Sequence, residues 1–326
     1  MQESENLVTV LEVVLGVKSG EQVLLVTDAP KGHIGAAFAD AAERIGAQVK
    51  MYELDEESRP LDGLPRGLQR LLDAPDVCLN IFDARPEETP FRVQLIKAQV
   101  AAGARVGHAP GITDDMLGTG ALTADYREMQ VVATRLMAAL DNARTARLTT
   151  AAGSDITLNI EGRGFLTDVL IEAGGVGNLP AGEVFCAPVE DDVDGVIVVD
   201  AAVGGVPLGE DPVTIRVAGG RVQEVTSGDE RLLAKLMPLL EVDDEAQVVG
   251  ELGIGLNPRA RITDNMLEGE KAGGTVHIAF GNNSEMPGGQ NNSQTHRDFL
   301  MKEATIRVTY TDGTTRTLVR DGEVLG

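Results

Sequence analysis

The stretch EQVLLVTDAPKGHIGAAFADAAERIGAQVKMYEL, residues 21–54, decides the fold of the first half of the chain. It contains a short apolar run at 23–26, an alanine-rich segment of helical length at 35–46 and a second strand-like run at 47–54. A buried strand followed by a helix and another strand is the repeating unit of parallel sheets, because parallel neighbours need a crossover connection. The stretch therefore predicts an α/β fold.

The same alternation continues on both sides of this stretch. Further strands are predicted at DVCLNIF (76–82) and ARVGHA (104–109), and helices at the N-terminus, around 64–73, over 88–102 and over 124–143. Repeated strand–helix order favours a parallel sheet with helices on both faces. We predict that residues 1–146 form an α/β domain with a parallel sheet.

The second half has a different pattern, which begins near Arg147. Five segments are typical of strands: TARLTT (145–150), DITLNI (155–160), GVIVVDAAVG (195–204), VTIRVAGGRVQEV (213–225) and ATIRVTYTDGTTRTLV (304–319). Glycine, Asp-Gly and Asn turns separate them, which favours antiparallel pairing, and one helix is predicted at 229–240. We predict that residues 147–326 form a mixed or antiparallel α+β domain.

Composition excludes several classes of function. The net charge is −23, and such a surface repels nucleic acid and anionic lipid. No apolar run approaches a membrane span and MQESENL does not open like a secretory signal, so we expect a cytoplasmic protein. The only cysteines, Cys78 and Cys186, cannot build a disulfide framework or a thiolate zinc cluster. The turn DAPKGHIG (28–35) matches no nucleotide-binding loop.

Carboxylates and imidazoles in the second half stand among glycines and apolar residues, where an unpaired charge is costly. They are Glu183, Glu251, His277, His296 and Asp298. His296 and Asp298 are two positions apart and share a face in an extended segment, and His277 lies in a strand-like alternation. Imidazoles and carboxylates without thiolate suit zinc, cobalt, manganese or iron(II). A surface His–Asp pair and a glutamate that caps a turn remain the alternatives.

Four motifs in a fixed order give this half a family resemblance. They are NLPAGEVFCAP (178–188), GELGIGLNP (250–258), EKAGGTVHIAFG (270–281) and THRD (295–298). In this order they resemble the M29 family of metallo-aminopeptidases, the aminopeptidase T group, most clearly over about 178–300. The α/β character of the first half is compatible with the same family.

The resemblance implies a site with two divalent metal ions. Glu183 and Glu251 would be carboxylate ligands and catalytic residues, one of them bridging the ions or serving as general base. His277, His296 and Asp298 would complete the two coordination spheres. The ions would activate water to cleave N-terminal residues from short peptides. The resemblance also implies a homodimer with a small peptide or another small molecule as its partner.

The chain departs from the family at one position. The family has a functional tyrosine a few residues after the first histidine, whereas this chain has GNNSEMPGG (281–289), with Ser284 near that place. An alternative is therefore a ring-cleaving dioxygenase of the 2,5-dihydroxypyridine type, with one iron(II) on His277, His296 and Asp298. A second alternative is a non-catalytic, metal-stabilised binding protein. Residues 281–293 are predicted to form a mobile loop over the site.

Overall fold

The structure, a computed structural model, describes residues 2–325, which form two compact units. The first comprises the chain up to Gln130 together with Asp168–Ala181. The second comprises Val131–Thr167 and the chain from Gly182 onward. The domain boundary between residues 146 and 147, expected from the sequence, stays a prediction.

Short helices and many short strands alternate along the chain. The helices are α1 (Gln2–Val13), α2 (Gly32–Ile45), α3 (Arg66–Gln69), α4 (Thr89–Ala101), α5 (Asp114–Gly118), α6 (Tyr126–Leu140), α7 (Glu230–Leu240) and α8 (Met266–Gly269). The strands are β1 (Gln22–Thr27), β2 (Gln48–Glu53), β3 (Val77–Ile81), β4 (Arg105–His108), β5 (Ala143–Thr149), β6 (Asp155–Asn159), β7 (Leu166–Thr167), β8 (Val176–Asn178), β9 (Glu183–Cys186), β10 (Val193–Val199), β11 (Ala202–Val203), β12 (Val213–Ala218), β13 (Arg221–Thr226), β14 (Val249–Gly255), β15 (Thr275–Gly281), β16 (His296–Lys302), β17 (Thr305–Tyr310), β18 (Thr315–Arg320) and β19 (Glu323–Val324).

The first unit is built on a parallel sheet of five strands in the order β2-β1-β3-β4-β8. β3 is buried throughout and β1 is buried except at its first residue, as expected for apolar central strands. The amphipathic helix α2 buries Ile34 and Phe38. The predicted α/β fold with a parallel sheet is confirmed.

The fifth strand of this sheet was not predicted. β8 has only three residues, and its central residue is Gly177. A Cβ on Gly177 would stand 2.9 Å from Ile171 Cδ1, so the close packing there requires glycine. A strand this short shows neither alternation nor an apolar run, so no sequence pattern indicated it.

The second unit contains two antiparallel sheets. One has eight strands in the order β13-β12-β10-β6-β5-β17-β18-β19, and the other has six in the order β11-β16-β15-β14-β9-β7. The predicted helix at 229–240 is α7, and its N-cap Asp229 accepts hydrogen bonds from the backbone N–H groups of Arg231 and Leu232. The antiparallel character predicted for this half is confirmed.

One helix is much shorter than predicted. The helix expected around 64–73 is the single turn α3. After it, Leu71 N–H bonds to the carbonyl of Leu68 and Leu72 N–H to that of Gln69, which is the tighter three-residue spacing. Among the described residues, none of the helices has both the length and the apolar content that a membrane crossing requires.

Candidate metal centre

Neighbouring strands of the six-stranded sheet carry the polar residues that the sequence singled out. β9 holds Glu183, β14 holds Glu251, β15 holds His277, and β16 holds His296 and Asp298. These strands are adjacent in the order β16-β15-β14-β9. Alternate residues of a strand, and residues in register across strands, point to the same side, so all five lie on one face of the sheet.

Small residues separate the ligand candidates on this face. Asp298 is in register with Ala279, and Ala279 is in register with Glu251 on its other side. Glu183 is in register with Gly255. Because these intervening positions have little or no side chain, the carboxylates can turn toward one another above the sheet.

His277 lies across the backbone of β14 at its register partner, Gly253. A Cβ on Gly253 would stand 2.0 Å from His277 Nε2 and 2.1 Å from Cε1, far inside van der Waals contact. The imidazole therefore occupies the volume that any side chain at position 253 would need. This steric relation explains one glycine of the GELGIG motif.

Glu251 is the centre of the arrangement, because its two carboxylate oxygens face different imidazoles. Oε1 is 3.2 Å from His277 Nε2, and Oε2 is 3.1 Å from His296 Nε2. His296 Nε2 is also 3.3 Å from Asp298 Oδ1, and His277 Nε2 is 3.6 Å from Glu183 Oε2. Two donor groups result, Glu183–Glu251–His277 and Glu251–His296–Asp298, each with ligand atoms within 4.8 Å of one another.

Burial and mutual attraction compete in setting the charges of these groups. The exposed fraction of the side chain is 1% for His277, 5% for Glu251 and 33% for His296. Burial alone would raise the pKa of Glu251, but hydrogen bonds from His277 and His296 outweigh it and lower that pKa to about 2. Burial opposes the charge of His277 as well, yet Glu251 and the other carboxylates raise its pKa to about 9.

The pKa of His296 is set by the same competition. The carboxylates of Asp298 and Glu251 outweigh burial and raise the pKa of His296 well above its usual value. Both imidazoles of the metal-free protein are therefore protonated at neutral pH, and they supply positive charge to a cluster of buried carboxylates. Divalent cations would replace these protons, because a histidine binds metal in its neutral form. The donor types and this surplus of carboxylates fit a divalent metal site.

Lys271 makes a contact that the sequence did not predict. Its ammonium pairs with Glu183 Oε1, 88 residues away in sequence, as well as with Glu270 at 2.7 Å. Only 1% of its side chain is exposed. Glu270 is its neighbour in sequence, whereas no sequence pattern indicated that Lys271 reaches the candidate ligand Glu183.

The far side of each imidazole differs. His296 Nδ1 donates to the backbone carbonyl of Asn282 at 2.7 Å, which leaves Nε2 directed at Glu251 and Asp298. His277 Nδ1 is buried and has no hydrogen-bond partner among the described residues. The orientation of His296 is therefore fixed by a backbone group, whereas that of His277 is fixed by packing over Gly253.

Ser284, near the place of the family tyrosine, and His108, at the end of β4, belong to neither donor group. Ser284 is exposed, and both its N–H and its hydroxyl bond to Asn282 Oδ1 at 3.1 Å. In the first unit, His108 Nδ1 accepts from Asn80 at 3.2 Å, and burial together with the charge of Arg92 lowers its pKa to about 3. These groups add no ligand to the carboxylate–imidazole face.

Known proteins share this fold and a family model matches the chain. The family model described as thermophilic metalloprotease (M29) matches residues 119–324, and no curated protein shows significant similarity. The chain is similar to the solved structure of 2,5-dihydroxypyridine dioxygenase from Pseudomonas putida, with a TM-score of 0.73 and 21% identity over 99% of this chain and 97% of that one. It is also similar to wild-type AmpT from Thermus thermophilus, with a TM-score of 0.69 and 19% identity over 100% and 99%. At such identities the likeness shows a shared fold.

The family match, together with the carboxylate–imidazole face, places the chain in the metallopeptidase class. The chain belongs to the M29 family, because the family model covers more than half of it. The resemblance seen in the four sequence motifs is confirmed. Membership implies a divalent metal, for which the two donor groups are the candidate ligands.

Proposed function

We propose that the protein is a metal-dependent aminopeptidase that removes N-terminal residues from short peptides. Its two divalent ions, zinc, cobalt or manganese, would be held by Glu183, Glu251, His277, His296 and Asp298. The observation that carries the proposal is the position of Glu251, which belongs to both donor groups. A carboxylate common to two sets of ligands is suited to hold two ions close together, as two-metal sites do. Membership of the M29 family supports the same class.

The residues divide the work between holding ions and moving a proton. Glu251 would be the ligand common to both ions, since its two oxygens face different imidazoles. When bound, divalent ions would polarise the peptide carbonyl and lower the pKa of a water. Glu183 would be the residue that takes up a proton, at Oε2, because Lys271 pairs with its Oε1 and Oε2 lies on the side of His277. An acidic, buried face also suits the protonated amine of a peptide N-terminus.

The expected partners follow from the charge and from the family. A net charge of −23 supports a small peptide or other small molecule as partner and opposes nucleic acid and anionic membranes. We include in the proposal that the protein acts in the cytoplasm as a homodimer. Light scattering of the purified protein at several concentrations tests the homodimer directly.

The test combines metal counting with peptide hydrolysis. The protein is purified without chelator, loaded with zinc, cobalt or manganese, and analysed for metal per chain and for amino-acid release from leucine dipeptides. We expect two ions per chain and release of the N-terminal residue. Glu251→Gln should lose both ions, since it removes the shared ligand. Glu183→Gln should keep the Glu251–His296–Asp298 ion and lower kcat by roughly 10²–10⁴-fold.

A matched control is Glu224→Gln, which alters an exposed carboxylate of the eight-stranded sheet paired with Arg216. It should change neither metal content nor rate. Two ions retained in Glu251→Gln would contradict the bridging role. An absence of hydrolysis by the two-metal protein, with any of the three metals, would refute the peptidase.

The iron(II) dioxygenase remains the second candidate, supported by the whole-chain fold likeness to 2,5-dihydroxypyridine dioxygenase. Its ligands would be His277, His296 and Asp298. In the structure, however, His296 and Asp298 are grouped with Glu251, and His277 belongs to the other donor group. This grouping favours the peptidase, in which Glu251 is common to two ions. One iron per chain, with oxygen uptake that requires 2,5-dihydroxypyridine or a related aromatic diol, would establish the dioxygenase instead.

A further inference from the structure

The segment between β15 and β16 connects the two histidines of the candidate metal centre. The mobility predicted for residues 281–293 stays a prediction, but three polar side chains of this largely exposed or half-buried segment are buried. Asn283, Asn291 and Ser293 are 2%, 4% and 5% exposed, respectively. Buried amides and hydroxyls are retained where they make hydrogen bonds, so their partners indicate what this loop does.

The first contact between this loop and the candidate ligands joins Asn282 to the ring of His296. Its Nδ1 donates to the carbonyl of Asn282 at 2.7 Å. Asn282 is itself fixed, because its N–H bonds to the carbonyl of Thr295 at 2.7 Å and its side-chain amide bonds to the carbonyl of Ser293 at 2.8 Å. The loop backbone thus sets which nitrogen of His296 faces Glu251.

The second partner is the strand that carries Glu251. Asn283 Nδ2 donates to the carbonyl of Gly250 at 3.1 Å and to Glu190 Oε1 at 3.0 Å. Its Oδ1 accepts from the N–H of Asn291 at 2.8 Å. The side chain of Asn283 therefore binds the backbone of Gly250, the residue before Glu251. Asn283 in turn follows Asn282, whose carbonyl orients His296 toward the carboxylate of Glu251.

Glu190, the first residue of the acidic stretch 190–194, accepts the hydrogen bond from the side-chain amide of Asn283. Its Oε1 also accepts from the N–H of Gln290 at 2.7 Å, and its Oε2 accepts from Arg163 Nη2 at 2.8 Å. These hydrogen bonds outweigh burial and lower the pKa of Glu190. Arg163 is 9% exposed in its side chain and also donates to the carbonyl of Gly288. Glu190 is thus a charged anchor that holds Asn283 and two further points of the loop.

We propose that Asn283, held by Glu190, is a positioning residue for the Glu251–His296–Asp298 ion. The inference rests on the proposed metal site. Asn283 fixes the spacing between the strand of Glu251 and the carbonyl that orients His296. Without the hydrogen bonds of Asn283, the loop would have to become ordered when the metal binds, before Glu251 and His296 reach their relative positions. The free energy of that ordering would lower the affinity for the metal. Residues that orient a metal ligand from behind typically change metal affinity by about 10–100-fold when they are lost.

The same loop offers a matched control. Ser293 is equally buried, and its hydroxyl donates to Asp243 Oδ1 at 2.8 Å. Its oxygen also accepts from the N–H of Thr295 at 3.2 Å, so Ser293→Ala removes two hydrogen bonds from the same loop without touching Gly250 or Glu190. A general loosening of the loop would affect both variants alike, whereas positioning through Asn283 affects only one.

The experiment measures zinc affinity and ligand geometry in Asn283→Ala, Glu190→Ala, the double variant and Ser293→Ala, by chelator competition and by the visible spectrum of the cobalt-substituted protein. We expect Asn283→Ala to weaken one of the two zinc sites by about 10–100-fold and to change the cobalt spectrum. Ser293→Ala should stay within about threefold of the unaltered protein. Glu190→Ala should also weaken zinc binding, and because part of its effect passes through Asn283, the double variant should lose less than the sum of the two single losses.

Three results would overturn the proposal: unchanged affinity in Asn283→Ala, an equal loss in Ser293→Ala, or additive losses in the double variant. If Asn283→Ala does not fold, Glu190→Gln provides the test, since it keeps the side-chain length and one acceptor but loses the charge that binds Arg163. It should weaken zinc binding by more than Ser293→Ala, and an equal or smaller loss would overturn the proposal. Failure of the peptidase is distinguishable, because it would appear as absent hydrolysis in the unaltered protein while these zinc affinities still differ.

Discussion

Gly253 and Gly255 have steric functions that are visible only from their neighbours. The ring of His277 fills the space over Gly253, and a Cβ on Gly255 would stand 2.2 Å from the carbonyl oxygen of Ala272. The sequence shows both as letters of a family motif, with no indication of what presses against them. At this scale a residue contributes to the site by having no side chain.

Gly253→Ala should weaken metal binding without preventing folding. The added methyl group collides with His277 Nε2 and must push the imidazole away from Glu251. Overpacking of this kind costs about 1–3 kcal/mol, which a domain can tolerate, whereas a displaced ligand should lower zinc affinity by at least about tenfold. Chelator competition measures it. Gly32→Ala is the control, since its Cβ meets no atom within 4 Å, and unchanged zinc affinity in Gly253→Ala would show that the ring is not a ligand.

At the scale of elements, the loops after β1 and β3 are joined by one buried arginine. Asp28 follows β1, and one of its oxygens accepts from the N–H of Asp83 at 2.7 Å while the other accepts from that of Lys31 at 3.0 Å, just before α2. Arg59 pairs with Asp28 and, through two nitrogens, with Glu88. Asp28 thus accepts from the backbone N–H just before α2. Nucleotide-binding folds bind phosphate at such a helix start, so this contact agrees with the missing glycine motif.

Arg59→Met should destabilise the protein strongly. All three side chains, Arg59, Asp28 and Glu88, are 0% exposed, so the change leaves two buried carboxylates without their cation. Breaking such a pair costs about 3–5 kcal/mol, measured as a lower urea midpoint at constant slope. Arg147→Met, which removes an arginine from an exposed pair with Asp155, should lower the urea midpoint far less, because water screens that pair. Equal effects of the two variants would contradict the structural importance of the buried network.

Sequence reasoning succeeded where periodicity carried the information. The alternation in TVHIAF placed His277 on a strand face, and His296 and Asp298 share a face as their spacing predicted. It failed where long-range contacts decide. The three-residue strand β8 depends on its neighbour β4, and Lys271 pairs with Glu183 across 88 residues of sequence. The loop after β15 was predicted to be mobile because Gly and Asn are typical of loops, and no pattern showed that Asn283 and Asn291 are buried.

For the whole molecule, the protonation of the metal centre links folding to pH. The folded pKa of His277 is about 9, above its ordinary value of 6.5, because the attraction of carboxylates outweighs burial. The stabilisation from this charge is therefore complete below about pH 6.5 and is lost as pH rises through about 9. At about 1.4 kcal/mol per pKa unit, its loss is on the order of 3 kcal/mol.

The metal-free and the zinc-loaded protein should therefore respond to pH in opposite directions. With chelator present, the urea midpoint should fall between pH 6.5 and 9 as His277 deprotonates and leaves the carboxylates without its charge. With zinc in excess, stability should rise over the lower part of this interval, because fewer protons compete for the imidazoles. The net charge of −23 adds repulsion to both forms alike. The thiol of Cys78, whose pKa burial raises to about 12, lowers stability near pH 9 in both forms alike, because it ionises there only in the unfolded chain. Parallel curves for the two forms would show that the imidazoles neither hold protons in the metal-free state nor exchange them for metal.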